Sequence, residues 1–207
     1  MIKFEYYSGK YSCVKMERRE GILQMTLHTK GVDLKWGISA HEELSYAFYD
    51  VARDHENRCV ILTGASRSFG AEFEGGGGPG GINITARGKA QPAGLKSSAW
   101  DHIYSDAKYL LMNHLNIEVP IIAAVNGPAL IHAELVVSEI LPSERLLARA
   151  WELARQIVVR PSLSVRYARV AITQQLIKLM LENLGYGLAL EGLGAGQSWP
   201  GAQVVDK

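Results

Sequence analysis

The run Ile121-Ile-Ala-Ala-Val-Asn-Gly-Pro-Ala-Leu-Ile-His132-Ala-Glu-Leu135 constrains this chain more than any other stretch. Its apolar opening reads as a buried strand, Asn126-Gly127-Pro128 as a turn, and His132 falls where a helix should start. A strand-to-helix turn presents backbone N–H groups that no helical carbonyl has claimed, so it can bind an oxyanion.

The segments before it supply partners for that strand. Ser12 to Arg18 and Ile22 to Thr29 read as a hairpin joined at Glu20-Gly21. Ile22, Gln24 and Thr26 alternate with Leu23, Met25 and Leu27, which suits a half-buried strand. Ser39-Ala-His-Glu42 has the form of a capping box opening an amphipathic helix that runs to about Asp54. Cys59-Val-Ile-Leu-Thr63 is a short buried strand ending at Gly64, and Asp101 to Leu115 has helical periodicity through Ile103, Ala107, Leu110, Leu111 and His114. From Pro142 to about Leu190 the pattern is helical, with Pro161 separating two long helices. Strand–strand–helix–strand alternation of this kind fits an α/β domain.

At 207 residues, 47% hydrophobic and 21% charged, the chain can bury a substantial core. A net charge of +1 gives no reason to expect nucleic acid or an anionic membrane as partner. Cys13 and Cys59 both sit in strand-like apolar contexts and read as small core residues rather than a disulfide. The start Met1-Ile-Lys-Phe-Glu lacks a signal-peptide layout, and no apolar run approaches a membrane helix, so the expectation is a cytoplasmic protein. No His, Cys and carboxylate residues fall at metal-ligand spacing, and no metal or organic cofactor is expected.

Gly75-Gly-Gly-Gly-Pro-Gly-Gly81 satisfies GxGxxG, as any glycine run would, but Pro79 interrupts the helix that a dinucleotide site needs. Gly88-Lys89 is not a P-loop, because Ala90 stands where Ser or Thr is required. Six glycines in seven residues cannot bury enough apolar surface to offset the entropy of ordering them. The stretch is expected to be a loop dispensable for folding, whose replacement by a shorter linker leaves the melting temperature nearly unchanged.

The opening run resembles the crotonase (enoyl-CoA hydratase) superfamily, whose members usually read Gly-Gly-Gly where this chain has Ile131-His132. That replacement narrows the resemblance to the β-diketone hydrolase branch, typified by 6-oxocamphor hydrolase. The resemblance covers residues 11–72 and 99–135, resumes at 136–192, and implies an α/β fold with a crotonase-like ββα spiral. It implies a spiral core over 1–141, incomplete after 135, a C-terminal helical oligomerisation region over 142–193, and a flexible tail over 194–207. A homo-trimer or dimer of trimers is the usual assembly.

Site residues follow from the same resemblance. His132 matches the substrate-contacting histidine of the diketone hydrolase branch, and Glu191, in Gly187-Leu-Ala-Leu-Glu191-Gly, matches a carboxylate that reaches the site from the last helix. Trp36, in Leu34-Lys-Trp36-Gly, matches a pocket-lining tryptophan, whose indole N–H and apolar face suit a hydrophobic ketone. Thr63-Gly-Ala-Ser-Arg-Ser-Phe69-Gly-Ala-Glu72-Phe73 resembles the loop that supplies the first oxyanion N–H, placing that donor at Phe73 and the second at Ile131 or His132. Where thioester-handling relatives show Ala-Gly-x-Asp, this chain has Ala71-Glu-Phe-Glu. His132 and Trp36 are expected to face one shared apolar pocket, with Glu191 within reach of it.

The implied reaction is retro-Claisen hydrolysis of a cyclic β-diketone, a small-molecule substrate. A CoA-thioester hydratase, hydrolase or isomerase is the alternative enzyme, and a catalytically degenerate scaffold is the alternative outside enzymes. The scaffold reading has a basis: the block that carries the branch's His–Asp dyad is skipped at the Leu135–Val136 junction, and no residue here matches either member. Either the polypeptide lacks that block, or the sequence joins two segments across absent residues. The join is the expectation, because deletion would strip part of the core and expose strand edges.

Overall fold

The computed structural model describes residues 2–70, 72–73, 107–129 and 138–195, with backbone alone at 38, 72, 73 and 191–195. A 3-10 turn, Phe4–Tyr6, leads into β1 (Val14–Arg19) and β2 (Ile22–Leu27). These strands pair antiparallel from Val14↔Leu27 to Arg19↔Ile22, and the turn residues Glu20 and Gly21 have φ of 56° and 75°. Positive φ at both central residues matches the twist of a two-residue hairpin, which is the connection expected at Glu20-Gly21.

Strand β4 (Cys59–Gly64) pairs parallel to β2, and β6 (Ile121–Ala124) pairs parallel to β4, giving a four-stranded sheet in the order β1-β2-β4-β6. β2 is more deeply buried than its alternation suggests: every residue of it except Thr26 is buried. It is a central strand covered on both faces, so both sets of alternating side chains meet protein. Leu23, Met25 and Leu27 join the cluster under α1 (Ile38–Arg53), while Ile22 joins Trp151 and Ala154 of α3 (Ser143–Val158). Buried Gln24 on that second face is satisfied, its Oε1 accepting from Trp151 Nε1 at 2.8 Å. β6 departs from expectation the other way. Only Ala124 of its four residues is buried, and among the described residues the strand lies at the edge of this sheet.

Helix α1 does not open on a capping box. Its N-cap is Gly37, no side chain caps it, and Ser39 already lies in the first turn. The chain enters directly from the short strand β3 (Lys35–Trp36), which pairs parallel with β5 (Glu72–Phe73), so strand pairing rather than a capping hydroxyl sets the entry. Helix α2 (Ala107–Leu115) packs on α1; Leu110 is buried, but Leu111 is exposed, unlike the expected apolar face. Pro161 separates α3 from α4 (Ser162–Ala195) as expected.

The N-terminal segment is fastened to α1 through carboxylates. Tyr7 Oη donates to Asp54 Oδ2 at 2.7 Å, Tyr11 Oη donates to Asp50 Oδ2, and Glu43 accepts from the amides of Ser12 and Cys13. Cys13 and Cys59 are buried and free. Among the described residues no helix is long and apolar enough to cross a membrane, and no group of three or more His, Cys, Asp or Glu could hold a metal ion. Gly75–Gly81, Ile131, His132 and the 135–136 junction lie outside the described residues.

Candidate functional site

The loops that follow β4 and β6 lie side by side, and polar side chains lace them together. Asn126 makes two of the links: its Oδ1 accepts from Gly64 N and its Nδ2 donates to Ser66 O, both at 2.9 Å. Ser68 Oγ donates to Pro128 O at 3.1 Å, and the Phe69 amide donates to the same carbonyl at 3.1 Å. Gly70 and Ala129 then form a parallel bridge. The approach is so close that a Cβ on Gly127 would stand 1.8 Å from Arg67 O, inside any permissible contact. The turn foreseen at Asn126-Gly127-Pro128 is thus an interloop clasp, and glycine is required there for space.

A third strand fastens the same loop from the other side. Asp33 Oδ1 accepts from the amides of Arg67 and Ser68 at 2.8 and 2.9 Å. Three residues later Trp36 Nε1 donates to Gly70 O at 3.2 Å, and β3 pairs with β5 so that Trp36 stands opposite Phe73. Gly70 has φ of 152°, and a Cβ there would come 2.6 Å from Trp36 Nε1. The Trp36 indole N–H is thus directed at a backbone carbonyl, and the ring packs against the core cluster under α1.

His41, in the first turn of α1, lies against that indole, with ring centroids 5.1 Å apart and planes tilted by 54°. Its Nδ1 is 2.9 Å from Gly37 O. A carbonyl only accepts, so the proton of this contact sits on Nδ1.

The structure therefore brings together Trp36 and the Phe73 backbone, and adds His41 beside them. Glu191 lies in the last turns of α4, with its backbone alone described. Ile131 and His132, expected beside Trp36, lie outside the described residues. Sequence reasoning missed Asp33, His41, Ser68 and the side chain of Asn126. Asp33 carried a usable signal, since an Asp just after Gly31-Val32 is a ready acceptor for loop amides. His41 also carried one, five residues after Trp36 at the start of an amphipathic helix.

No family model matches the chain, and no curated protein matches it. Solved structures do. A β-diketone hydrolase from the cyanobacterium Anabaena sp. PCC 7120, bound to (S)-3-oxocyclohexyl acetic acid, is 31% identical, with a TM-score of 0.81 over 95% of this chain and 98% of that one. An enoyl-CoA hydratase/isomerase from Xanthobacter autotrophicus Py2 superposes with a TM-score of 0.73 at 19% identity, over 92% of this chain and 90% of that one. Another from Mycobacterium paratuberculosis gives 0.68 at 16% identity, over 90% and 95% of the two chains, and like the previous one it speaks to the fold alone. The α/β sheet, the clasped loops and the extent of the first match together show that this chain belongs to the crotonase (enoyl-CoA hydratase/isomerase) superfamily.

Proposed function

We propose that this protein is a hydrolase that opens a cyclic β-diketone by retro-Claisen cleavage. One observation carries the proposal furthest: Trp36 is fixed as an apolar wall directly opposite Phe73, whose amide is the expected oxyanion donor. The match to a β-diketone hydrolase at 31% identity supports it. An apolar indole face beside a backbone donor suits an uncharged ketone.

In this reading the oxygen of water bonds to one carbonyl carbon, and the resulting oxyanion is held by the Phe73 amide with Ile131 or His132 as second donor. Each such donor contributes several kcal/mol, roughly 3, to lowering the barrier in a dry pocket. The tetrahedral centre collapses, the bond to the carbon between the two carbonyls breaks, and its electron pair forms the enolate of the other ketone. Protonation of that carbon gives a keto acid. His132 and Glu191 carry the proton transfers, with the His41 ring beside the Trp36 indole. The same reading assigns assembly as a trimer or dimer of trimers through the C-terminal helices.

Incubation with a cyclic 1,3-diketone, beside a parallel incubation with crotonyl-CoA, tests the reading. Ring-opened keto acid from the first and no hydration of the second is the expected result. Hydration alone would make the protein a thioester enzyme. Silence in both assays would favour the degenerate scaffold, in keeping with the missing match to the His–Asp dyad.

A further inference from the structure

The segment Asp33–Trp36 touches the loop after β4 at two separate points. Asp33 Oδ1 holds two consecutive amides, Arg67 and Ser68, and the Trp36 indole holds the carbonyl of Gly70. Between those points Ser68 folds the loop on itself, its Oγ accepting from Gly70 N at 3.2 Å while donating to Pro128 O. The next described residues beyond Gly70 are Glu72 and Phe73, paired with Lys35 and Trp36. One short stretch of chain therefore carries the Trp36 indole and the fastening of the loop that leads to the Phe73 amide. Two adjacent N–H groups on one carboxylate oxygen make a charge-assisted clamp that fixes a backbone orientation rather than a contact with substrate.

We propose that Asp33 is a positioning residue that sets the oxyanion-binding amide and the tryptophan wall in register, acting only through the loop 65–70; this rests on the hydrolase reading above. Catalysis by a backbone donor depends on its being aimed before charge develops, and a misplacement of about 1 Å can cost about a hundredfold in rate. Loss of the clamp should therefore lower kcat and leave substrate binding at the Trp36 face nearly intact.

Asp33→Ala, Asp33→Asn and Asp33→Glu separate the possibilities. Asp33→Ala is expected to lower kcat by about 10- to 100-fold with KM within about twofold. Asn keeps an acceptor oxygen in place and should restore kcat to within about threefold. Glu keeps the charge and displaces the oxygen by one methylene, so it should resemble Ala in kcat; it also decides the matter if the Ala variant does not fold. The clamp itself is read on ligand-free protein by NMR. In Asp33→Ala the Arg67 and Ser68 amides should exchange at least about tenfold faster, and the Trp36 indole N–H resonance should move. Unchanged exchange, or faster exchange with wild-type kcat in both Ala and Glu, would overturn the proposal. If the wild type turns over no diketone while the amides and the indole respond as stated, the clamp stands and the hydrolase reading fails.

Discussion

Two glycines show at the residue scale how much of the site is steric. A methyl group on Gly127 would meet Arg67 O at 1.8 Å, so Gly127→Ala must push the two loops apart or strain both. Overpacking of this kind costs about 1–3 kcal/mol, and calorimetry should show a melting temperature lower by several degrees, about 2–4 °C per kcal/mol. Gly70→Ala is different, because its Cβ would meet the Trp36 indole nitrogen and its φ of 152° disfavours a side chain. Its expected signature is a shifted Trp36 indole resonance and lost turnover, with a smaller change in stability. Neither requirement was visible in the sequence, where Gly127 read as a turn residue and Gly70 as part of a loop. The turn at Asn126-Gly127-Pro128 was legible because its chemistry is local. The clasp was not, because Arg67 and Ser68 approach from some 60 residues away.

At the scale of elements, the seam between α2 and α4 carries a pH dependence. His114 of α2 is half-buried, its ring in edge contact with Phe48 at 5.1 Å. Burial, and then the positive charge of Arg169 on α4, push its pKa down to about 4. The unfolded chain, titrating near the ordinary value of 6.5, binds the proton first. Stability is therefore full above about 6.5 and falls as the pH drops toward about 4, by on the order of 1–3 kcal/mol. Urea melts of wild type and His114→Gln should show that slope in the former and its loss in the latter. Glu43 adds a second acid-labile contact. Desolvation pushes its carboxyl up, but hydrogen bonds from the Ser12 hydroxyl and the Cys13 and Ser12 amides outweigh this and hold it below the ordinary carboxylate value. Its contribution is present above that ordinary value and fades as pH falls through the lowered one. Helical periodicity located α1, α2, α3 and α4 from the sequence, but periodicity cannot show whether a cap is used. The expected box at Ser39 yielded to strand pairing at Lys35–Trp36.

For the molecule as a whole, the α/β order of elements followed from strand length, apolar runs and proline punctuation. The burial of β2 on both faces required knowing that α3, more than a hundred residues later, returns to cover it. The outer surface of α4 has the opposite character: Ile172 is 77% exposed and Tyr186 72%, with Leu163, Tyr167 and Leu181 also exposed. Apolar exposure on this scale suits the proposed assembly through the C-terminal helices. Sedimentation should find a trimer or hexamer, and Ile172→Glu with Leu181→Glu should shift it toward smaller species while the helical signal persists. A monomer in the wild type would remove that part of the proposal.

Isotope incorporation distinguishes hydrolytic carbon–carbon cleavage from every other outcome. Turnover of a cyclic 1,3-diketone in water enriched in oxygen-18, followed by mass spectrometry of the product, reports where the water oxygen goes. Retro-Claisen cleavage predicts a ring-opened keto acid in which one solvent oxygen occupies the carboxylate, and parallel turnover in heavy water of a 2,2-dialkyl 1,3-diketone, whose bridging carbon carries no exchangeable hydrogen, places one deuterium on that carbon. An unopened ring, or an opened product without label in its carboxylate, would contradict the account.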